Sequence, residues 1–275
     1  VLRQAESQSF EDRHLHLMRH TTSHLMPALL AAAVFAGLAV VVLNDEMISA
    51  VDLALSDGVQ ALRSPASDWI VVLVTLFGDA TALTLIAITI VFTLLLRRAW
   101  WAAGMSALAF VTTPLIVKAI KVFVGRERPM ADLYSGVESF SFPSGHMTNS
   151  TVIYGALAIL AAHALTGAWK RLVIGGLILL IVLIGISRVY LGAHWPTDVI
   201  GAVLLASVML FLVEFGFHQL PGEGRFARPF ALVMVVVVAV WTVYSALTLG
   251  VALDKYAVDV TPDGTIDLET APGRN

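Results

Sequence analysis

Three short segments hold most of the reactive side chains of this sequence. Lys121 is followed after six residues by Arg128-Pro129, the second segment reads Pro143-Ser144-Gly145-His146, and the third runs Ser187-Arg188, five residues, His194, three residues, Asp198. Together they supply cations, a glycine turn, two histidines and a carboxylate. An arginine presents a planar fork that matches phosphate oxygens. Two arginines and a lysine balance a phosphate dianion and the spread charge of its transition state. Pro143-Ser144-Gly145 reads as a turn into a helix start, where backbone N–H groups and the helix dipole favour an anion. Gly145 lets the backbone approach closely. Pro196 suits a first helical turn, so Asp198 can fold back toward His194. A carboxylate bonded to Nδ1–H fixes the tautomer and leaves Nε2 as a nucleophile. His146 is then available to protonate a leaving oxygen and to activate water. These roles require a neutral His194 and a charged His146, and hence a bell-shaped pH–rate profile.

The elements that must position these residues are membrane spans. The chain is 58% hydrophobic and 13% charged, against roughly 25% charged residues in a soluble domain. Its net charge of −3 offers no footprint for nucleic acid, and the absence of cysteine removes disulfides, thiolate catalysis and cysteine metal sites. Val1 in the first position is expected of a processed or excised piece of a longer chain. A helical span needs about 20 apolar residues. Seven stretches approach that: Met26–Leu43, Trp69–Leu96, Trp100–Val117, Thr148–Leu165, Leu172–Ile186, Thr197–Phe217 and Pro229–Gly250. The second is too long for one upright span. Phe77–Leu96 suffices to cross, with Trp69 at the interface. The first reads as an uncleaved span rather than a signal peptide. Arg97-Arg98, Lys170-Arg171, Arg225 with Arg228, and the N-terminal arginines fall on one side, which the positive-inside rule makes cytoplasmic. Lys121, His146, Arg188, His194 and Asp198 then converge at the outer headgroup layer.

The three segments resemble the signature of the type 2 phosphatidic acid phosphatase family, which is related to the vanadium haloperoxidases. The resemblance runs from Lys121 to Asp198, and the flanking spans fit that family's helical membrane core. It implies a metal-independent lipid phosphatase that needs no cofactor and forms a phosphohistidine. His194 would be the nucleophile, Asp198 its orienting partner and His146 the acid–base. Lys121, Arg128, Ser144, Gly145 and Arg188 would hold the phosphate. The family's core usually has six spans, where seven stretches are counted here. The expected fold is therefore an all-α bundle of six or seven spans, with its site at the outer face of a bacterial-type plasma membrane. Residues 1–24 form a cytoplasmic segment, 25–250 the membrane phosphatase domain and 251–275 an acidic outer tail. The partners are membrane lipids and a lipid phosphate: undecaprenyl diphosphate, phosphatidylglycerophosphate, phosphatidic acid or a lipid A phosphate. A phosphotransferase using the same phosphohistidine, a non-catalytic lipid transporter or binding protein, and a haloperoxidase are the alternatives. Oligomeric state stays open.

Several residues have two readings. Asp79 is either a helix N-terminal acid favoured by the dipole or a partner for a phosphate-binding cation. Arg126 contacts substrate or only solvent. Trp195 belongs to the interface belt or walls the site. Lys118 and His163 read as interfacial anchors, as do Trp100 and Trp101. Phe10–His20 reads as a short surface helix. Asp132, Tyr134 and Glu138 are loop residues suited to headgroup selection. Val258–Leu268 alternates around Pro262-Asp263-Gly264 in a hairpin-like pattern.

Overall fold

A computed structural model describes residues 25–44, 46–129, 136–218 and 226–256, together with the short stretches 259–260 and 266–267. The expectations for Phe10–His20, Asp132 and Tyr134 lie outside the described residues. The described residues are almost wholly helical. The chain runs through α1 (Leu25–Asn44), α2 (Glu46–Gln60), α3 (Pro65–Leu76), α4 (Ala80–Leu96), α5 (Trp100–Val124), α6 (Gly145–Ala164), α7 (Gly167–Tyr190), α8 (Pro196–Phe217) and α9 (Ala227–Tyr256).

Among the described residues, six segments are long and apolar enough to cross a bilayer: α1, α3 with α4, α5, α7, α8 and α9. The remaining long helix, α6, spans 20 residues but opens with the polar run His146–Thr151. It tolerates this because its neighbours are helices rather than lipid. It packs against α5, α7 and α8, and Ser150, Tyr154, Leu157 and Leu160 along it are fully buried. The fourth apolar stretch of the sequence is therefore the centre of the bundle. Large side chains such as Phe123, Leu247 and Val251 point outward and are 82%, 76% and 73% exposed. Such surface is stable only against lipid.

The long second stretch is two helices, α3 and α4, joined at Phe77–Asp79. Ser64 caps α3 by accepting from Ser67 N–H, with Pro65 in its first turn. The chain breaks at Phe77–Asp79 and restarts with Asp79 as the N-cap of α4. A break at membrane depth frees backbone groups that must find partners. Tyr154 donates its hydroxyl hydrogen to the Phe77 carbonyl at 2.5 Å. Trp241 Nε1–H donates to that same hydroxyl oxygen at 3.0 Å, and its ring lies 4.4 Å from that of Phe77. α6 and α9 thus pin the break.

Helix α9 continues past Gly250 to Tyr256 and lies against α3, α4 and α6. Beyond it, Asp259–Val260 and Ile266–Asp267 pair antiparallel, in the register expected of the hairpin pattern.

Candidate active site

The ends of α5 and α7 meet the starts of α6 and α8 at one end of the bundle. Gly125 ends α5 in the left-handed conformation at φ 63°. That turn sends the chain from Lys121 in the last helical turn into the Arg126–Pro129 strip. Phe140 then pairs back on Glu127 as an isolated bridge, leading to Ser144, the N-cap of α6. At the end of α7, the N–H groups of Ala193 and His194 bond the Arg188 carbonyl at 3.0 and 3.1 Å. This short loop delivers His194 directly before Pro196 opens α8.

Lys121 and Arg128 are held by backbone carbonyls, and Arg188 by two hydroxyls. Lys121 Nζ donates to Phe140 O at 2.7 Å and reaches Glu138 Oε2 at 3.4 Å. Arg128 donates from Nε to Glu138 O and from Nη1 to Ala193 O, both at 2.6 Å. Arg188 Nη1 donates to Thr75 Oγ1 at 2.8 Å and to the Tyr256 hydroxyl at 3.1 Å. All three side chains are buried. Guanidinium and ammonium groups cost several kcal/mol to bury unless paired, and here carbonyls and the Glu138 carboxylate pair Lys121 and Arg128 while hydroxyls hold Arg188.

The histidines have tautomers set by their partners. Arg128 Nη1 lies 2.9 Å from His194 Nε2. Arginine only donates, so Nε2 carries the lone pair and Nδ1 the hydrogen. That hydrogen points to Asp198 Oδ2 at 3.4 Å, while the same oxygen accepts from Trp195 N–H at 2.9 Å. Burial, and after it the charges of Arg128, Arg188 and Lys121, hold the His194 imidazolium pKa well below its usual 6.5. His194 is therefore neutral at pH 7. Its acid linkage follows: below about 6.5 the unfolded chain takes a proton that the folded chain refuses, so stability falls with acid. His146 stands on the opposite wall, with Nε2 2.7 Å from the Thr75 carbonyl. A carbonyl only accepts, so Nε2–H donates.

Behind Asp198 stands a network through Arg126 and Asp52, of which sequence reasoning missed Asp52. Arg126 Nη1 donates to Asp198 Oδ1 and Thr197 Oγ1, both at 2.8 Å, and its Nη2 donates to Asp52 Oδ2 at 2.6 Å. Asp52, from α2, also accepts from Thr197 N–H at 3.0 Å and from the Thr197 hydroxyl at 2.5 Å. Arg126 thus bridges two buried carboxylates. The sole signal in the sequence was an acid within the acidic segment between the first two apolar stretches. Trp195 lies over Arg126 at 5.5 Å and donates Nε1–H to Glu127 O at 2.9 Å.

A cavity of about 340 Å³ is lined by Lys121, Arg128, Gly145, His146, Arg188 and His194 among others, with Asp79 at one side. Asp198, Arg126, Ser144 and Trp195 do not line it. Ser144 acts as the helix cap, accepting from Met147 N–H at 3.3 Å. Asp79 also acts as a cap, for Thr81 N–H at 2.9 Å. Gly78 is required by close approach: a Cβ there would run into the His146 ring and Ser150 Oγ. Among the described residues, no group of three His, Asp or Glu side chains is arranged to hold a metal ion.

Comparison with known proteins gives this geometry its context. Residues 98–220 match the model of the PAP2 superfamily. Phosphatidylglycerophosphatase B of Bacillus subtilis is 32% identical over 181 residues, covering 64% of this chain and 88% of that protein. An undecaprenyl-diphosphatase of Sulfolobus acidocaldarius is 42% identical over 73 residues, which cover 26% of this chain and 32% of that one. The crystal structure of a transmembrane PAP2 type phosphatidylglycerolphosphate phosphatase from Bacillus subtilis superposes with a TM-score of 0.61 at 32% identity, covering 70% of this chain and 96% of that one. The chain belongs to the PAP2 superfamily and is one of its membrane lipid phosphatases.

Proposed function

We propose that the protein removes the terminal phosphate of a lipid phosphate monoester or diphosphate at the outer leaflet, through a phosphohistidine on His194 and without a metal ion. One observation carries the lipid substrate. The cationic cavity shares Ala80, Leu83, Pro114 and Asn149 with an apolar groove of about 490 Å³ that runs down between α4 and α5 past Ile88, Phe92 and Val111. A phosphate seated among Lys121, Arg128 and Arg188 leaves its chains in that groove, in contact with hydrocarbon. A soluble phosphate ester would gain nothing from such a wall.

The proposed chemistry follows from the two tautomers. His194 Nε2 attacks phosphorus with its lone pair, and the bond to the leaving oxygen breaks on the far side. Arg128, now on Nε2, shifts its donation to the phosphoryl oxygens, where charge develops. Asp198 stabilises the positive imidazole ring that forms. His146, carrying a second proton on Nδ1 beside the negative charge of the bound phosphate, gives that proton to the leaving oxygen, then takes one from water. That water attacks the phosphorus, the P–N bond breaks and inorganic phosphate departs. With Nε2–H committed to Thr75 O, the exchanging nitrogen of His146 is Nδ1. The three cations do the charge balancing that a metal would otherwise supply.

The names of the relatives make phosphatidylglycerophosphate and undecaprenyl diphosphate the first substrates to test. The outward orientation rests on the basic residues. Arg97, Arg98, Lys170, Arg171 and Arg228 cluster at the helix ends opposite the site. The test is phosphate release from each lipid by detergent-purified protein in excess EDTA, beside His194→Ala. Release that survives EDTA and falls at least a thousandfold in the variant is expected, on the order found for nucleophile removal. Release that EDTA abolishes would end metal independence. Release that persists in His194→Ala would end the phosphohistidine.

A further inference from the structure

Helix α9 begins after the region that matches the family model, yet its last turn reaches the catalytic cavity. Tyr256 fixes it there. The Tyr256 hydroxyl accepts from Arg188 Nη1 at 3.1 Å, and its backbone carbonyl accepts from Arg63 Nη2 at 2.6 Å. Arg63 is itself paired with Asp68 at 2.8 Å, and the Arg188 guanidinium lies 5.7 Å from the Tyr256 ring. The residue before this anchor is Lys255, whose side chain is exposed and lines the cavity.

The end of α9 stands on the wall that carries His146. Tyr256, next to Lys255, shares Arg188 Nη1 with Thr75 Oγ1, and the Thr75 carbonyl accepts from His146 Nε2–H at 2.7 Å. His194 is held instead by Arg128 and Asp198. In an in-line displacement the attacking and leaving groups lie on opposite sides of phosphorus. If His194 attacks, the His146 side is where the leaving group sits. A leaving group that is an alcohol brings no charge there. One that carries its own phosphate does. Asp79 lines the same wall, but its Oδ1 is taken up in capping α4.

We propose that Lys255 binds the phosphate that remains with the lipid, and that α9 thereby biases the enzyme toward substrates bearing two phosphates over simple monoesters. This rests on the phosphatase function and histidine roles proposed above. The substrate class is a lipid diphosphate, or a lipid whose terminal phosphate monoester is joined through a short linker to a phosphodiester. When the terminal P–O bond breaks, the electron pair goes to the bridging oxygen and adds negative charge beside Lys255. The ammonium is thus worth more in the transition state than in the ground state.

The test uses two substrates with one tail, farnesyl diphosphate and farnesyl phosphate, with phosphate release measured on the full purified chain. The readout is the ratio of their kcat/KM values. Lys255→Gln is expected to lower that ratio about tenfold, the loss of one charge-assisted contact at the reacting end. Lys255→Arg is expected to restore most of it. Lys118→Gln provides the comparison, since Lys118 is an exposed cavity lysine on α5. An unchanged ratio in Lys255→Gln would overturn the proposal. So would an equal fall in Lys118→Gln, which would reduce the effect to the general positive field of the mouth. Wild-type protein inactive on both substrates would overturn the phosphatase reading for such lipids, and this inference with it.

Discussion

At the scale of single residues, the site is built from donors aimed at backbone carbonyls and hydroxyls. Lys121, Arg128 and Arg188 each have fixed positions because Phe140 O, Glu138 O, Ala193 O and Thr75 Oγ1 hold them. They do not depend on a phosphate to find their geometry, which is the preorganisation that electrostatic catalysis needs. These cations were legible in the sequence, since phosphate chemistry dictates their type and the helix ends dictate their spacing. Asp52 was not. It meets Thr197 across 145 residues, and no local pattern announces such a contact. Its role is testable. Asp52→Asn leaves Arg126 facing Asp198 alone, and the guanidinium then competes with His194 for that carboxylate. The expected result is a kcat about tenfold lower or worse with KM little changed. Unfolding should also come at a lower temperature, because breaking a buried ion pair costs about 3 kcal/mol or more. An unchanged kcat in folded protein would reduce Asp52 to a structural pair with Arg126.

At the scale of elements, the break between α3 and α4 sets the depth of the site. Hydrophobicity alone could not reveal it, because Phe77 and its neighbours are as apolar as the helices they join. What marks it in the sequence is Gly78-Asp79, a glycine beside a capping acid. The structure gives Asp79 the capping role, and gives Gly78 the more demanding one of making room for His146. Gly78→Ala should therefore act as a lesion of His146 without touching it. Turnover is expected to fall about a hundredfold, the low end of what general acid–base catalysis contributes, while helical content by circular dichroism holds. Gly104→Ala in α5 is the control, since nothing lies within 4 Å of its added Cβ. Equal turnover in the two variants would show that the break tolerates a shifted His146. The polar face of α6 was similarly hard to read. Its low hydropathy argues for a weak span, but its burial among α5, α7 and α8 makes it the axis of the bundle.

At the scale of the whole molecule, the hydrophobic stretches carried the architecture almost unaided, because lipid demands apolar length from every helix that faces it. The contribution of α9 escaped that logic, since periodicity ends where a helix reaches a site. Orientation remains an expectation from charge, and this chain suits its own test because it contains no cysteine. Single thiols at Glu127→Cys, beside the site, and Ala168→Cys, at the start of α7, are both on exposed positions. In intact cells a membrane-impermeant maleimide should label the first and reach the second only after permeabilisation. The reverse pattern would turn the site inward. One consequence of the way these cations are held reaches beyond this chain. They sew α3, α5, the loop before α6, α7 and α9 into a common seam. A descendant that had lost all turnover would still need that stitching to stay folded. His194 joins only its own turn and a guanidinium already held by two carbonyls. In relatives of this architecture, retained lysine and arginine would thus report an intact seam, and a retained His194 counterpart would report a working enzyme.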